Sequence, residues 1–495
     1  MEKWSMGATE DADDDVAGAS RRPVVTVVGA AHRLAAGPTM ASAEETLVIG
    51  RTPEGEGPRL VIEDDRQVSR THARIVPTAN AFEVHDLGSG NGTFVGTRPI
   101  PASAEAANGS LVFVGGHAVM LRFVSDQARA AIEQDWKTPF MATPTLCPQV
   151  ALLHQRLRAR LSDRQPVLLT GHPGAGKWSY AAALHEKAQP RGLMRTLDGV
   201  SLQVDQGGRV VVCPADDGPS PSVARPIQDV ADEAHAGTLY LNRVDRASPA
   251  VQGAVAGLLR AGLGHSRVIL SSCGVVGQPS DSGHALLPEL ESACRSTRLF
   301  VPPLVRRKED IATIFRHTLG HSAGVTISIA AWRALLLYDW PGNVEQLVST
   351  ARRLLVERLA GAPKRIEIFD LPESMRLACG TWMRDLPEPP SAADDPHITI
   401  SDPWEPMWQK TARRRVSVET AAAEVGGTHG WTPRQIEIIT LLARGWSRQE
   451  VGNRLDIKDR TVTEQLKRAA EKTKASHPSD LVRMVINWFE ETAGR

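Results

Sequence analysis

The 495-residue sequence has few cysteines, no long apolar run and no net charge. Its five cysteines are scattered and form no C-x-x-C pair, which argues against a disulfide framework or a zinc site and fits a reducing cytosol. No stretch reaches the roughly 18 apolar residues of a membrane span, and the acidic N-terminus lacks the apolar core of a secretory signal. We therefore expect a cytoplasmic protein without a membrane partner. With a formal net charge of +0, contact with nucleic acid must come from a local basic face.

The composition and the residue pattern change along the sequence, which predicts a multidomain chain. Residues 1–22 are acidic and predict a disordered tail. Residues 23–125 contain short β-type runs separated by Gly, Asn, Asp and Pro, which predicts an all-β sandwich. Over residues 140–375, buried-strand runs such as "QPVLLTG" and "RVILSSC" alternate with helical stretches, which indicates a parallel α/β sheet. A Pro- and Asp-rich stretch over 380–430 predicts a linker, and 431–492 predicts a compact all-α domain.

Three motifs of the β-rich segment together point to one binding activity. They are "LVIGR", "VSRTHARI" and "DLGSGNGTFVG", and in this order the segment resembles the forkhead-associated (FHA) domain, a reader of phosphothreonine peptides. By that resemblance Arg51, Ser69 and Arg70 hold the phosphate, Asn91 fixes the ligand backbone and His72 braces the loop. A phosphothreonine carries close to two negative charges and three acceptor oxygens, which suit a guanidinium and short donors. The expected partner is a phosphothreonine-containing protein.

A phosphate-binding loop follows in the α/β segment. "LLTGHPGAGKWSY" fits G-x-x-x-x-G-K through Gly171, Gly174, Gly176 and Lys177, the turn whose backbone N–H groups cradle phosphates. Trp178 stands where the pattern has a Ser or Thr hydroxyl for Mg²⁺. ATP is the ligand that such a loop predicts, and the sequence leaves open whether it still binds. No metal is predicted beyond Mg²⁺ carried with the nucleotide.

The same segment resembles the AAA+ module of the bacterial sigma-54-dependent activators. The resemblance runs through "TGHPGAGK", "GTLYLNRVDRASPAVQGAVAGLLR", "FVPPLVRRKEDIATIF" and "LLLYDWPGNVEQL", and it implies a P-loop α/β module with a helical lid. Where the family has an Asp-Glu pair that holds the Mg²⁺ shell and polarises water, this chain has Asn242 and Arg243. Asp245 is expected to face away, since it lies three residues beyond Asn242 on a predicted strand. Glu345 replaces the sensor arginine of the family's "GNVREL".

These departures predict that the module does not hydrolyse ATP. A neutral amide is a poor Mg²⁺ ligand, a guanidinium cannot act as a base, and an anion near the phosphates reverses the sign of charge. We therefore assign no catalytic residue, and the sequence favours the absence of enzymatic activity without deciding it. Residues 191–235 also hold nothing like the family's "GAFTGA" loop, which makes contact with sigma-54 doubtful.

The C-terminal segment "WTPRQIEIITLLARGWSRQEVGNRLDIKDRTVTEQLKRAAEKTK" resembles the LuxR-type helix-turn-helix. Thr432 is predicted to cap its first helix with Pro433 at the first position, and a helix from near Lys458 is predicted to enter the major groove. The partner is then double-stranded DNA, and Lys472 is a further predicted phosphate contact. The predicted DNA-facing residues are Arg460, Thr461, Thr463, Gln465, Lys467 and Arg468. The closing segment "SDLVRMVINWFEE" has an apolar stripe that suits either packing or dimerisation.

The leading hypothesis is a DNA-binding transcriptional regulator. It reads a phosphothreonine through the FHA domain and uses a non-hydrolysing AAA+-like core for assembly or signal transmission, as a homo-oligomer. Two alternatives stay open: an ATP-dependent sigma-54 activator with altered catalytic residues, and a phosphopeptide-binding scaffold without DNA binding.

Overall fold

A computed structural model describes most of the chain between Arg21 and Trp488. The described residues are 21–31, 39–54, 57–188, 192–213, 224–234, 237–262, 266–273, 285–320, 325–359, 365–378, 418–443, 451–452, 455–473, 475, 481–482, 484–485 and 488. The chain divides into two compact units, residues 1–317 with 339–347 and residues 318–338 with 348–495. The predicted tail, apart from its last two residues, and residues 380–417 of the predicted linker lie outside the described residues. None of the helices found in these ranges is long and apolar enough to span a membrane.

The first unit begins with a sandwich of two β-sheets, as the short punctuated runs predict. One sheet consists of β1 (Arg21–Ala30), β2 (Met40–Ser42), β7 (Thr93–Val95), β8 (Arg98–Pro99), β10 (Ser110–Val114) and β11 (His117–Ser125), in the spatial order β2-β1-β11-β10-β7-β8. The other consists of β3 (Leu47–Gly50), β4 (Arg59–Val61), β5 (Ala73–Pro77), β6 (Ala81–Asp86) and β9 (Ser103–Ala107), in the order β4-β3-β5-β6-β9. Alternate residues such as Ile75, Phe82 and Val112 face inward and form one apolar core.

An ion pair fixes the sandwich to the segment that follows. Arg122 on β11 pairs with Glu309, whose side chain is 1% exposed, and Arg122 Nη2 also donates to the carbonyl oxygen of Arg306 at 3.0 Å. Helix α1 (Asp126–Lys137) starts directly after β11, where the hydroxyl of Ser125 accepts the N–H of Ala128. No sequence motif predicted this ion pair, because Arg122 and Glu309 lie 187 residues apart in the sequence.

The rest of the first unit is built on a parallel sheet, as predicted. Its strands are β12 (Val167–Thr170), β13 (Met194–Asp198), β17 (Thr238–Asn242), β18 (Arg267–Ser272) and β19 (Arg298–Phe300), in the order β13-β17-β18-β12-β19. Helix α2 (Pro148–Ala159) precedes these strands, and the helices between them are α3 (Lys177–Ala188), α4 (Ile227–Asp232), α5 (Pro249–Ala261) and α6 (Pro288–Ala293). Since α3 starts at the carboxyl end of β12, the P-loop lies at the edge where parallel α/β sheets bind ligands.

A small antiparallel sheet occupies the stretch in which no sigma-contact motif was found. It consists of β14 (Leu202–Val204), β15 (Val210–Val212) and β16 (Arg225–Pro226). The carboxylate of Asp205 closes its first turn by accepting the N–H groups of Gly207 and Arg209, each at 2.8 Å. Leu202 and Val210 are buried in the core that also contains α5.

The second unit is mainly helical. The elements that follow β19 in the chain are α7 (Ile311–Leu319), β20 (Thr326–Ile327), α8 (Ile329–Leu337), α9 (Asn343–Leu359), β21 (Arg365–Ile366), α10 (Glu373–Ala378), α11 (Val418–His429), α12 (Pro433–Ala443) and α13 (Asp459–Thr473). Of these, α7 up to residue 317 and α9 up to residue 347 belong to the first unit. The prediction of a linker up to residue 430 is wrong at its C-terminal end, because α11 occupies 418–429 and packs its buried Ala421, Ala422 and Val425 into the terminal core.

The start of α12 follows the predicted capping. The hydroxyl oxygen of Thr432 accepts the N–H of Gln435 at 3.3 Å, and the amide oxygen of Gln435 accepts the N–H of Thr432 at 2.9 Å. Pro433 takes the first helical position. This reciprocal pair satisfies two N–H groups that a helix start otherwise leaves open.

The buried carboxyl of Asp310 makes stability depend on pH. Its Oδ1 accepts hydrogen bonds from the hydroxyl of Thr145 at 2.6 Å and the N–H of Leu146 at 3.2 Å, and burial raises its pKa to about 6. Between about pH 4 and 6, the folded chain therefore holds a proton that the unfolded chain, with an Asp pKa of about 3.9, has released. The stability from this proton is fully present below about pH 4 and is lost as the pH rises through 6.

We expect Asp310→Asn to remove that dependence. The amide oxygen of the asparagine can keep both hydrogen bonds. Between pH 4 and 7, the wild type should lose up to about 3 kcal/mol of unfolding free energy relative to the variant, because one pKa unit is worth about 1.4 kcal/mol. Urea unfolding of both proteins at several pH values measures the difference. A difference that does not change with pH contradicts the assignment.

Candidate functional site

Three loops of the β-sandwich meet at the predicted phosphothreonine pocket. The N–H of Arg51 donates to the carbonyl oxygen of Ser69 at 3.0 Å, and Arg51 Nε donates to that of Val68 at 2.7 Å. The hydroxyl oxygen of Ser69 accepts an N–H at 3.1 Å from the loop that carries Asn91, and Asn91 Nδ2 donates to the carbonyl oxygen of Gln67 at 2.8 Å. The predicted residues thus lie together, although they come from distant parts of the sequence.

His72 is buried beneath these loops, where the sequence predicts a brace. Its Nδ1 accepts the N–H of Ser69 at 2.9 Å, and its Nε2 lies 3.3 Å from the carbonyl oxygen of Gly92. Burial lowers the pKa of His72, so the ring is neutral near pH 7, with its proton on Nε2 and donated to Gly92. Arg70 is exposed at the rim, and a Cβ on Gly50 would lie 2.0 Å from the carbonyl oxygen of Arg70, so only glycine fits there.

Asp86 is a further supporting residue that sequence reasoning missed. Its Oδ2 accepts the hydroxyls of Ser89 and Thr93, each at 2.6 Å. These bonds shape the "DLGSGNGT" turn that presents Asn91. The recurrence of Ser and Thr three and seven residues after an Asp was the available signal.

The P-loop lysine is held by its own loop. Lys177 Nζ donates to the carbonyl oxygens of Gly171 at 2.7 Å and His172 at 2.8 Å, and lies 3.1 Å from Cys273 Sγ. Lys177 is buried, with 6% of its surface exposed, and this burial lowers its pKa. A bound anion would therefore find a desolvated ammonium group at the start of α3.

The outer side of the loop is held by Arg307, Asn343 and Glu345, of which only Glu345 was singled out from the sequence. Three further carbonyl oxygens of the loop accept hydrogen bonds from outside it. The carbonyl oxygen of Pro173 accepts from Asn343 Nδ2 at 2.8 Å, that of Gly174 accepts from the N–H of Glu345 at 3.2 Å, and that of Ala175 accepts from Arg307 Nη2 at 2.6 Å. A Cβ on Gly174, which has φ +70°, would lie 2.4 Å from the carbonyl oxygen of Gly342. Glu345 itself is exposed at this position. The loop is thus fixed in shape by contacts of its own fold.

Asp245 lies inside this site, so the expectation that it faces away is wrong. The strand ends at Asn242, Arg243 takes a left-handed backbone conformation at φ 53°, and a 3-10 turn follows. This turn brings Asp245, which is fully buried, to the end of β18, where its Oδ1 accepts the N–H of Cys273 at 3.1 Å. Its Oδ2 lies 3.6 Å from Arg243 Nη2. The prediction failed because it extended the strand through Arg243.

The residues around the loop fit a phosphate group and do not fit Mg²⁺. Asn242 is engaged on both sides of its amide, donating to Asp198 Oδ2 at 3.1 Å and accepting the hydroxyl of Ser271 at 3.1 Å. Trp178 packs against the apolar core and offers no oxygen ligand. No group of three or more His, Cys, Asp or Glu side chains suited to a metal occurs in the described parts of the chain.

Helix α13 carries the predicted DNA-facing residues. Arg460, Thr461, Thr463, Lys467 and Arg468 are exposed and Gln465 is half-buried, whereas Val462 and Leu466 are buried in the domain core. One face of the helix is therefore polar and accessible, as groove binding requires. Its preceding turn contains Asp456 at φ 51°. Residues 444–450 lie outside the described residues.

Two cations of α13 have partners within the domain. Arg468 pairs with Glu464 one turn earlier. Lys472 Nζ donates to the carbonyl oxygen of Gly430 at 2.8 Å and lies 3.1 Å from Gln435 Oε1. Lys472 thus ties α13 to the start of α12, and its role as a phosphate contact stays a prediction.

The apolar stripe of the closing segment faces inward. Leu481, Val482 and Val485 are buried in the terminal core, and Trp488 packs against it. Phe489 lies outside the described residues. Of the two uses left open by the sequence, packing accounts for these side chains.

Profiles of four protein families match the chain in succession. They are "FHA domain" over residues 47–115, "Sigma-54 interaction domain" over 147–304, "AAA+ ATPase lid domain" over 306–380 and "Bacterial regulatory proteins, luxR family" over 430–485. The chain contains these domains in the predicted order, which confirms the multidomain fold class.

Curated relatives match the central part. The putative transcriptional regulatory protein y4pA of Sinorhizobium fredii is 26% identical over 299 residues, which cover 56% of this chain and 44% of that protein. The C4-dicarboxylate transport transcriptional regulatory protein DctD of Pseudomonas aeruginosa is 27% identical over 270 residues, 49% of this chain and 52% of that protein. The chain spans about half the length of these relatives. A structure of NtrX from Brucella abortus in complex with ATP covers 65% of this chain and 67% of its own, at 17% identity and a TM-score of 0.37.

Proposed function

We propose that this chain, with its FHA, sigma-54 interaction, AAA+ lid and luxR-family domains, is a DNA-binding transcriptional regulator that reads a phosphothreonine signal. The observation that supports the proposal is that residues suited to two kinds of recognition are exposed or grouped on one chain. Arg51, Ser69 and Asn91 lie on three hydrogen-bonded loops of the β-sandwich, and α13 exposes a polar face. The partners are a phosphothreonine-containing protein and double-stranded DNA. A homo-oligomer on a symmetric operator follows from how helix-turn-helix proteins dock.

The core is proposed to transmit the signal. The ion pair between Arg122 and Glu309 joins the FHA domain to a segment whose Arg307, two residues earlier, donates to the P-loop carbonyl of Ala175 at 2.6 Å. A change at the sandwich is thereby coupled, through directly bonded groups, to the nucleotide loop. This supports a role in assembly or transmission.

The core is also proposed not to hydrolyse ATP. Hydrolysis needs a positioned metal and an activated water, and removing one electrostatic group of a catalytic site commonly costs a factor of about 10²–10³. Asn242 and Arg243 replace two of these groups. Steady-state release of phosphate from ATP tests this, with Lys177→Ala as the control. Release that Lys177→Ala abolishes contradicts the proposal and favours an ATP-dependent activator.

Selection of genomic DNA fragments by the full chain tests the regulator function. We expect enrichment of a small set of fragments sharing a two-fold symmetric site, with affinity that falls steeply as salt increases. Equal retention of all fragments, or none, contradicts it and favours the phosphopeptide-binding scaffold.

Lys467→Ala probes the DNA-facing side of α13. Lys467 is exposed on α13, and lysine side chains of DNA-binding helices commonly contact phosphate oxygens. We expect weaker binding to every fragment by a similar factor, and a slope of log affinity against log salt that is smaller by about 1. Lys137→Ala, an exposed lysine of α1, is the matched control. An unchanged salt slope for Lys467→Ala excludes this contact.

A further inference from the structure

We propose that the P-loop binds a nucleoside polyphosphate without Mg²⁺, with the guanidinium of Arg243 supplying the positive charge that the metal supplies elsewhere. This inference goes beyond the proposed function, because it concerns a ligand and does not depend on DNA or phosphothreonine recognition.

The loop is built to receive phosphates. The carbonyl oxygens of Gly171 through Gly176 all accept hydrogen bonds, the last from the N–H of Tyr180 at 3.1 Å. Because the N–H and C=O of one peptide point in opposite directions, the N–H groups of Gly174, Gly176 and Lys177 point away from the donors that bind the carbonyl oxygens of Pro173, Ala175 and Gly176. These three N–H groups form an anion-binding nest at the start of α3. Gly176 has φ +97°, and a Cβ placed on it would meet no other atom within 4 Å, so the inner side is open at that point.

Arg243 provides a cation beside this nest. Its backbone is fixed in the left-handed region, and its N–H donates to the hydroxyl of Ser271 at 3.0 Å. The guanidinium pairs with Asp245 at 3.6 Å, and Asp245 is joined through Cys273 to Lys177. Two cations, Lys177 and Arg243, thus surround one buried carboxylate at the mouth of the loop.

The charges of this cluster leave one positive group for a ligand. Asp245 neutralises one of the two cations, and Lys177 is desolvated by burial, which lowers its pKa. Arg243 Nε is buried and has no hydrogen-bond partner among the residues that the structure describes. Since a buried unsatisfied donor is costly, an acceptor such as a phosphate oxygen would relieve it.

The same cluster disfavours a divalent cation. A guanidinium stands where the family carries the water-polarising carboxylate, and the amide oxygen of Asn242 is taken by Ser271. Mg²⁺ requires oxygen ligands in near-octahedral order, and a neighbouring positive charge repels it. A nucleotide held by Arg243 would therefore be bound in a form that is not hydrolysed.

Equilibrium dialysis of the full chain with radiolabelled ATP, in EDTA and in excess Mg²⁺, tests this proposal. We expect similar affinity in both buffers and a loss of roughly ten- to a hundredfold in Arg243→Ala, the worth of a hydrogen bond to a charged group. Arg246→Ala, which removes an exposed arginine of the same turn, is the matched control and should bind as wild type does. Lys177→Ala should abolish binding.

A reverting double variant separates the role of charge from a defect in folding. Asn242→Asp with Arg243→Glu restores carboxylates to both positions and should make ATP binding depend on Mg²⁺. Binding by wild type only in Mg²⁺, no binding in either buffer, or equal binding by wild type and Arg243→Ala would overturn the proposal. The Arg243→Ala protein should still bind DNA. Failure of the nucleotide proposal can therefore be told apart from failure of the proposed regulator function.

Discussion

Arg51→Ala should weaken binding of a phosphothreonine peptide by roughly 30- to 1,000-fold, the range of an interfacial hot spot worth about 2–4 kcal/mol. The guanidinium of Arg51 is half-buried, and its Nε is held by the carbonyl oxygen of Val68 at 2.7 Å. Its remaining donors are thereby preorganised for an anion, and little side-chain entropy is lost when the ligand binds. Fluorescence anisotropy with peptides from a phosphothreonine library measures the loss.

Three controls make this result specific to the pocket. Arg74→Ala removes an exposed arginine of β5 and should bind peptide as wild type does. The unphosphorylated peptide should not bind, and Ser69→Ala should weaken binding less than Arg51→Ala because it removes a neutral donor. If Arg51→Ala binds the phosphopeptide with unchanged affinity, the pocket assignment is wrong.

Arg122→Ala should destabilise the first unit by about 3–5 kcal/mol, the usual result of stranding one partner of a buried ion pair. Glu309 has a side chain only 1% exposed, so removing Arg122 leaves a carboxylate without its counter-charge. Burial opposes the charge on Arg122, but attraction to Glu309 raises its pKa above the usual range. Thermal unfolding followed by circular dichroism should show a clearly lower midpoint.

The matched control is a surface pair of the same type. Arg129 and Glu133 lie 3.4 Å apart on α1 with side chains 43% and 51% exposed, so Arg129→Ala should cost less than about 1 kcal/mol. Adding Glu309→Gln to Arg122→Ala should recover part of the loss, since no buried charge then remains. Equal midpoints for Arg122→Ala and Arg129→Ala would contradict a structural role for the buried pair.

The parts of this structure that the sequence predicted are those encoded locally. The P-loop and the capping of α12 each depend on residues within one short stretch, so their spacing is informative. The grouping of the three FHA loops was predictable although they are far apart in the sequence, because each loop carries its own motif. Short β-type runs separated by turn residues likewise predicted the sandwich, and buried-strand runs that alternate with helical stretches predicted the parallel sheet.

The parts that escaped prediction depend on contacts that no local pattern encodes. The pairing of Arg122 with Glu309 and the donation by Arg307 to the P-loop join residues more than a hundred positions apart. Asp245 was misjudged because a single left-handed residue, Arg243, ends the strand and reverses the side-chain alternation. Helix α11 was missed because it directly follows a Pro-rich stretch and contains two glycines.

The central claim is that phosphothreonine recognition at one end of the chain controls DNA binding at the other. It is tested most directly by titrating a selected DNA fragment with the full chain, with and without a saturating phosphothreonine peptide that binds the pocket. We expect the peptide to change the apparent DNA affinity of wild type and to have no effect on Arg51→Ala. Identical DNA affinity for wild type with and without the peptide would contradict the claim.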